Sequence, residues 1–171
     1  MPESAIPMGS ESLLTILQEL ASENTEIHGK ALEMLPLYFV RLLGLEFENW
    51  QKRNARIVKL LANETELLFS RWQIRCQDTL DSDVLLDDLA EEVGLSLKFK
   101  SNIILVVTTG EFSSEALKYR DEIMRSTSLN IITINGQELG ALARSPHVIV
   151  DMLNSKASDV VQLKALEKER E

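Results

Sequence analysis

The stretch Leu67–Thr79, LLFSRWQIRCQDT, constrains the fold more than any other part of the chain. After an apolar start, apolar and polar side chains alternate, which predicts a β-strand with two different faces. Trp72, Ile74 and Cys76 fall on one face, which we expect in the core. The opposite face carries long polar side chains, which we expect to face water or a ligand: Arg71, Gln73, Arg75 and Gln77.

Several further strands are predicted around this one. Residues 56–62 lie close enough in sequence to form an antiparallel hairpin with it. The run Ile103–Val107 is wholly apolar, which is typical of a strand covered on both faces. A helix opening at Ser113 or Ser114 precedes a short strand at Leu129–Ile134, an order that indicates a parallel crossover. These patterns predict an α/β fold.

Helical spacing predicts the remaining elements. Residues 13–20 suit a helix capped by Ser10 or Ser12. A second apolar stripe ends at Gly44 and contains Pro36, so we expect a kink near Leu32–Pro36 or a helix that begins there. A later helix is expected to begin at Asp81, Ser82 or Asp83 and to run through Val93, with Gly94 ending it. Residues 146–154 predict a last helix, followed by a hinge at Ser155–Ser158.

Composition bounds the class of protein. The chain has 171 residues and a formal net charge of −9. No apolar run approaches the ~20 residues of a membrane span, residues 1–12 lack the shape of a signal peptide, and there is a single cysteine. We therefore expect a cytoplasmic protein without a membrane partner. The predicted organisation is a flexible leader at residues 1–10, a single domain at 11–155 and a charged helical tail at 156–171.

Charge is unevenly distributed along the chain. Basic residues concentrate between Gln51 and Gln77, whereas acids concentrate between Asp78 and Glu92 and in the tail. A local basic patch on an acidic protein fits this distribution, and so does a set of solvated or salt-bridged side chains. The basic residues concerned are Lys52, Arg53, Arg56, Lys59, Arg71 and Arg75.

The alternating strand resembles the central strand of the Mrr-like restriction endonucleases, a branch of the PD-(D/E)xK nucleases. The resemblance extends from about Gly29 to Leu139 and includes DDLAEEVG at residues 87–94 and ILVVTTG at 104–110. It implies a restriction-endonuclease-like fold, with a mixed central β-sheet flanked by helices on both faces.

The resemblance also assigns the family's catalytic positions to four residues. Glu33 keeps the family's helical glutamate, but Lys59 stands where a metal-binding aspartate is expected. Arg75 replaces a glutamine or glutamate, and Gln77 replaces a lysine. A side-chain cation ~4 Å from another positive unit charge repels it by about 4 kcal/mol at an effective dielectric constant of ~20. The repulsion doubles for the divalent Mg²⁺. We therefore expect no metal cofactor, and Glu33 paired with Lys59 or Arg75.

The resulting hypothesis is a catalytically inactive restriction-endonuclease-like domain. It would bind a partner, or DNA through a surface formed by Lys52, Arg53, Arg56 and Arg71. One alternative is an active, Mg²⁺-dependent endonuclease with relocated ligands such as Glu26, Asp78 or Glu91. Another is a structural dimerisation protein without nucleic-acid function, since a homodimer is compatible with folds of this kind.

Overall fold

The computed structural model describes residues 12–64, 70–79 and 82–169, except for the side chain of residue 167. The predicted leader at 1–10, the alternative cap Ser10, residues 67–69 of the alternating stretch, the alternative cap Asp81 and residues 170–171 lie outside this part. The helices are α1 Leu13–Leu20, α2 Thr25–Leu42, α3 Leu86–Phe99, α4 Ser114–Ser126, α5 Gly136–Arg144 and α6 Ile149–Lys168. The strands are β1 Leu45–Arg53, β2 Ile57–Glu64, β3 Arg71–Gln77, β4 Ile103–Thr108 and β5 Asn130–Ile134.

The five strands form one mixed sheet in the order β1-β2-β3-β4-β5. β1, β2 and β3 pair antiparallel, so the predicted hairpin is confirmed. β4 pairs parallel with both β3 and β5, with α3 and α4 as the two connections. Two cores lie on opposite faces of the sheet, one with α1, α2 and α5 and the other with α3, α4 and part of α6. The predicted α/β fold, with a mixed sheet and helices on both faces, is confirmed.

The alternation along β3 follows this two-faced arrangement. Trp72, Ile74 and Cys76 are buried in the core under α1 and α2, as predicted. The neighbouring strand β4 is buried from Ile104 to Thr108, which confirms a strand covered on both faces. The polar face of β3 therefore points toward the α3 layer, and α3 decides whether that face meets solvent.

α2 begins before Leu32, so the alternative of a helix that begins near Leu32–Pro36 is wrong. It begins at Thr25, where the Asn24 side chain accepts hydrogen bonds from the Glu26 and Ile27 amides at 2.9 and 3.2 Å. The helix then continues through Pro36 to Leu42 without interruption. Burial of the face that includes Pro36 offsets the hydrogen bond that proline cannot donate.

One strand was not predicted, and the boundaries of α3 were predicted wrongly. No strand was predicted at residues 45–53, but β1 is an edge strand with several exposed side chains, where polar residues meet water. α3 begins at Leu86 and continues past Gly94 to Phe99, where Lys100 adopts a left-handed φ of 56°. An internal glycine costs a helix only ~1 kcal/mol. The turn of α3 that follows Gly94 also buries Ser96 on its inner face.

α6 is continuous across the predicted hinge at Ser155–Ser158, so the hinge is wrong. Lys156 anchors this part of the helix, because its ammonium donates to the Thr133 carbonyl at 2.7 Å and pairs with Glu138 at 2.8 Å. No helix in the described ranges combines the length and the apolar character that crossing a membrane requires.

Candidate functional site

The polar face of β3 is buried beneath α3, so the expectation that it faces water or an external ligand is wrong. Gln73 and Arg75 have no exposed surface, and Gln77 is only 9% exposed. β2 contributes Lys59, which is also fully buried and lies directly opposite Arg75 in the β2–β3 register. Two cations thus lie side by side inside the protein, and they require compensating charge.

Three carboxylates of α3 supply that charge. Asp88, Glu91 and Glu92 are spaced i, i+3 and i+4, which places them on one side of the helix, facing the sheet. The Arg75 guanidinium donates to Asp88 at 2.8 Å, to Glu91 at 3.2 Å and to Glu92 at 3.1 Å. Its Nε and Nη2 also donate to the Gln77 side-chain oxygen, at 3.2 and 2.9 Å.

Lys59 shares two of these carboxylates. Its ammonium lies 2.5 Å from Glu92 Oε1 and 3.2 Å from Glu91 Oε1, as ion pairs without well-directed hydrogen-bond geometry. Glu92 has no exposed surface, so one buried carboxylate bridges both buried cations. We call the five side chains Lys59, Arg75, Asp88, Glu91 and Glu92 the buried ion network.

Neutral groups fix the position of the central carboxylate. The Gln73 amide donates to the Glu92 carboxylate, and also to the Glu92 main-chain carbonyl at 3.0 Å. Ser101 in turn donates to the Gln73 side-chain oxygen at 3.0 Å. Glu92 is therefore held by side chains from β2 and β3. Removing it would leave two buried cations short of a partner.

Glu91 lies at the outer rim of the network and is 41% exposed. Partial burial would raise the pKa of its carboxyl, but the positive charges of Lys59 and Arg75 and the hydrogen bond from Arg75 outweigh this effect. They hold the pKa of Glu91 at about 2. Lys52 adds a longer contact from solvent, at 3.4 Å.

This donor set does not fit a divalent metal ion. Mg²⁺ requires hard oxygen ligands, but the carboxylates here are engaged by an ammonium and a guanidinium. In the described parts of the chain, no group of three or more histidine, cysteine, aspartate or glutamate side chains is arranged to hold a metal. No catalytic step through a metal can be derived from these residues.

Glu33 is not part of the network, so its predicted pairing with Lys59 or Arg75 is wrong. It lies on α2 and forms an ion pair with Arg53 of β1. The three positions at which the resemblance implies substitutions lie together on the face of the sheet that α3 covers, whereas α2 packs against the opposite face. The structure thus brings together Lys59, Arg75 and Gln77, and it separates Glu33 from them.

Each basic residue of the predicted DNA surface is also engaged by a carboxylate. The ion pairs are Lys52–Glu91, Arg53–Glu33, Arg56–Asp78 and Arg71–Glu48. The hydrogen bonds from Arg71 and Asn63 and the charge of Arg71 outweigh the effect of burial and lower the pKa of Glu48. The interpretation of these residues as salt-bridged side chains fits the structure better than a free basic patch.

Of the suggested relocated ligands, only Glu91 belongs to the network. Glu26 pairs with Lys30 on the surface of α2. Asp78 accepts from His28 at 2.6 Å, from Arg56 at 2.9 Å and from Thr109 at 2.7 Å. Burial would raise the pKa of Asp78, but these hydrogen bonds and the nearby positive charges lower it.

Sequence reasoning missed Asp88 and Glu92 as members of this site. The sequence carried a signal, because Asp88, Glu91 and Glu92 have the spacing of one helix face. Their partners lie on strands, however, and sequence spacing within a helix does not reveal which strand residues it will cover.

A known protein family matches most of this chain. The Mrr family model, described as "Restriction endonuclease", matches residues 25–143, which is more than half of the chain. The chain belongs to this restriction endonuclease family. The match extends from the first residue of α2 to α5 and includes every residue of the buried ion network.

A solved structure, EndoMS in its apo form, is similar at 13% sequence identity with a TM-score of 0.41. The alignment covers 60% of this chain and 45% of that one, so the chain spans less than half the length of that protein. No curated protein sequence matches the chain.

Proposed function

We propose that this restriction endonuclease family member is a non-catalytic domain that acts through protein contacts. The observation that carries the proposal is the Lys59–Glu92–Arg75 cluster, in which one carboxylate pairs with two cations. The resemblance assigns the positions of these two cations to metal-binding or metal-adjacent side chains. A divalent ion would have to displace both cations from a carboxylate that has no exposed surface.

The surface charges favour a protein partner over DNA. Non-specific DNA affinity comes mainly from lysines and arginines that neutralise phosphates. Here the four predicted DNA-contacting residues already pair with carboxylates, and the net charge of −9 opposes approach to DNA. The family suggests DNA as a substrate, but these charges support a domain that has lost that role.

The first test is nicking of supercoiled plasmid by the purified protein in Mn²⁺ at low salt, together with calorimetric titration of Mg²⁺ and Mn²⁺. We expect neither nicking nor heat of binding. The variants Glu33→Ala and Glu91→Gln are tested alongside the unmodified protein. Nicking that is lost in either variant would overturn the proposal in favour of an active enzyme with relocated ligands.

A second test measures binding of a fluorescent DNA duplex at low salt and again at higher salt. We expect no binding in either condition. Affinity that falls steeply with salt and weakens in Arg56→Ala would show that DNA, rather than a protein, is the partner. Lys30→Ala serves as the matched control, because Lys30 is an exposed cation outside the predicted DNA surface.

A further inference from the structure

A cleft of about 670 Å³ lies between the end of α1, the start of α2 and the turn that joins β1 to β2. Clefts that hold small molecules have volumes of roughly 300–1,000 Å³, so a compact organic ligand fits here. α2 packs on the opposite face of the sheet from α3. The cleft is therefore separate from the buried ion network.

The floor of the cleft is aliphatic. Leu20 of α1 and Leu32 of α2 line it, and both side chains are buried in the core. Ala21, Gly29 and Ala55 complete the apolar lining. No phenylalanine, tyrosine or tryptophan is among the described residues that line it. This floor suits an aliphatic body better than a nucleic-acid base, which binds by stacking on aromatic rings.

The charges of the lining favour an anion. Arg53 and Arg56 are cations, and Glu23 is the acid among the described residues that line the cleft. Both arginines are exposed, so their guanidinium groups lie at the mouth rather than in the floor. The lining thus carries an excess of positive charge on a protein whose net charge is −9.

Two carboxylates outside the lining pair with these arginines but leave donors free. Glu33 pairs with Nη1 of Arg53, and Asp78 accepts from Nη1 of Arg56 at 2.9 Å. Asp78 is only 4% exposed, so it presents little negative charge to the cleft. Nε and Nη2 of both arginines make no hydrogen bond to the part of the chain that the structure describes. Guanidinium donors of this kind form strong, directed hydrogen bonds to carboxylates and phosphates.

One free donor borders the open space above Gly29. Apart from atoms of its own helix, a Cβ at Gly29 would meet only Arg53 Nη2, at 3.9 Å. His28, the preceding residue, donates from Nε2 to Asp78 at 2.6 Å. Its Nδ1 makes no hydrogen bond to any described residue. The missing side chain of Gly29 therefore leaves room for a ligand between an aliphatic floor and unused polar atoms.

We propose that this cleft binds a small organic anion, an aliphatic carboxylate or phosphate monoester. Its body would lie on Leu20 and Leu32, and its charged group would accept hydrogen bonds from Arg53 and Arg56. The proposal goes beyond the function in protein contacts, because it adds a small-molecule ligand at a site that neither catalysis nor the buried ion network involves.

The experiment follows the fluorescence of anilinonaphthalene sulfonate, an organic anion, bound to the folded protein at neutral pH. We expect one saturable site, from which octanoate or octyl phosphate displaces the probe. The more effective of the two identifies the preferred charged group. Octanol lacks the charge and acetate lacks the apolar body, so each should require at least about tenfold higher concentration.

Two pairs of variants locate the site. Gly29→Leu fills the cleft and should weaken probe binding at least about tenfold, whereas Gly94→Leu adds the same side chain at an exposed position of α3 and should have no effect. Arg53→Gln should weaken binding about tenfold, because a charge-assisted hydrogen bond is lost. Lys30→Gln removes an exposed cation outside the lining and is the matched control. Circular dichroism confirms that the variants are folded.

Probe binding that does not saturate, or that is unchanged in Gly29→Leu, would overturn the proposal. Equal displacement by octanol and octanoate would overturn the preference for an anion. Displacement by a DNA duplex at lower concentration than by octanoate would overturn the small-molecule assignment. Metal binding and plasmid nicking are measured separately, so failure of the cleft and failure of the non-catalytic assignment are distinguishable.

Discussion

Lys59 and Arg75 lie directly opposite each other in the antiparallel β2–β3 ladder, and both side chains are fully buried. Like charges at facing positions normally destabilise a sheet. They are tolerated here because Glu92, also fully buried, makes an ion pair with each of them. The fold therefore depends on a carboxylate of α3, which begins 22 residues after the end of β2 (86 − 64).

The replacement Glu92→Gln should destabilise the protein strongly. It leaves two buried cations with only the rim carboxylates, and removing one partner of a buried pair costs roughly 3–5 kcal/mol. Urea unfolding at neutral pH measures the free energy of unfolding. The control Glu91→Gln changes a residue that is 41% exposed, so it should cost no more than about 1 kcal/mol. Equal losses in the two variants would contradict the central role of Glu92.

Stability should fall with acid in a range set in part by Glu91. Its pKa is about 2 in the folded protein, against an ordinary value of 4.5. The unfolded chain therefore binds this proton more readily, so the contribution of Glu91 is complete above pH 4.5 and is lost as the pH falls towards 2. Asp78, whose pKa is also lowered, acts in the same direction.

Urea unfolding from pH 7 to pH 2.5 measures this dependence. Glu91→Gln should reduce the slope of unfolding free energy against pH below 4.5, because the titrating carboxyl is gone. Asp78→Asn should reduce the same slope by removing the carboxyl of Asp78. Slopes identical to that of the unmodified protein would show that the ion pairs of Glu91 do not persist in solution.

Gly136 and Gly94 should respond oppositely to alanine. A Cβ at Gly136 would lie 2.1 Å from the Thr109 carbonyl oxygen and 2.8 Å from its carbon, so the backbone must move. We expect a loss of about 1–3 kcal/mol. Gly94 is in open space within α3, so Gly94→Ala should stabilise the protein by up to ~1 kcal/mol. Thermal unfolding at low protein concentration compares them, and an unaffected Gly136→Ala would contradict the close approach.

Cys76 should be unreactive in the folded protein. The side chain is fully buried on the apolar face of β3, and burial raises the pKa of its thiol well above the usual value. Because the thiolate is the reactive form, a thiol reagent should modify the protein only after addition of denaturant. It is the single cysteine of the chain, so rapid labelling under native conditions would place it at the surface.

The sequence by itself determined the class of fold and most of the elements. Alternation assigned both faces of β3 and placed Cys76 in the core, and the wholly apolar run assigned β4. The order of strand, helix and strand predicted the parallel part of the sheet. The motif resemblance located the family. These inferences succeeded because periodicity and motifs are local properties of the chain.

Helix boundaries were less predictable, because packing overrides local preference. Pro36 did not interrupt α2, and Gly94 did not end α3. In each case the helix continues over the sheet, and contacts with the core offset the local cost. β1 was missed because an edge strand tolerates polar residues that would be excluded from the centre of the sheet.

Only the tertiary structure decided the environment of the polar face of β3. The sequence showed a row of donors but could not show whether water, a ligand or the protein itself accepts from them. The acceptor depends on which helix of the β3–β4 crossover covers the polar face of β3. It also depends on which side chains of that helix point inward. α3 turns Asp88, Glu91 and Glu92 inward. The buried cations Lys59 and Arg75 are therefore neutralised by the protein itself.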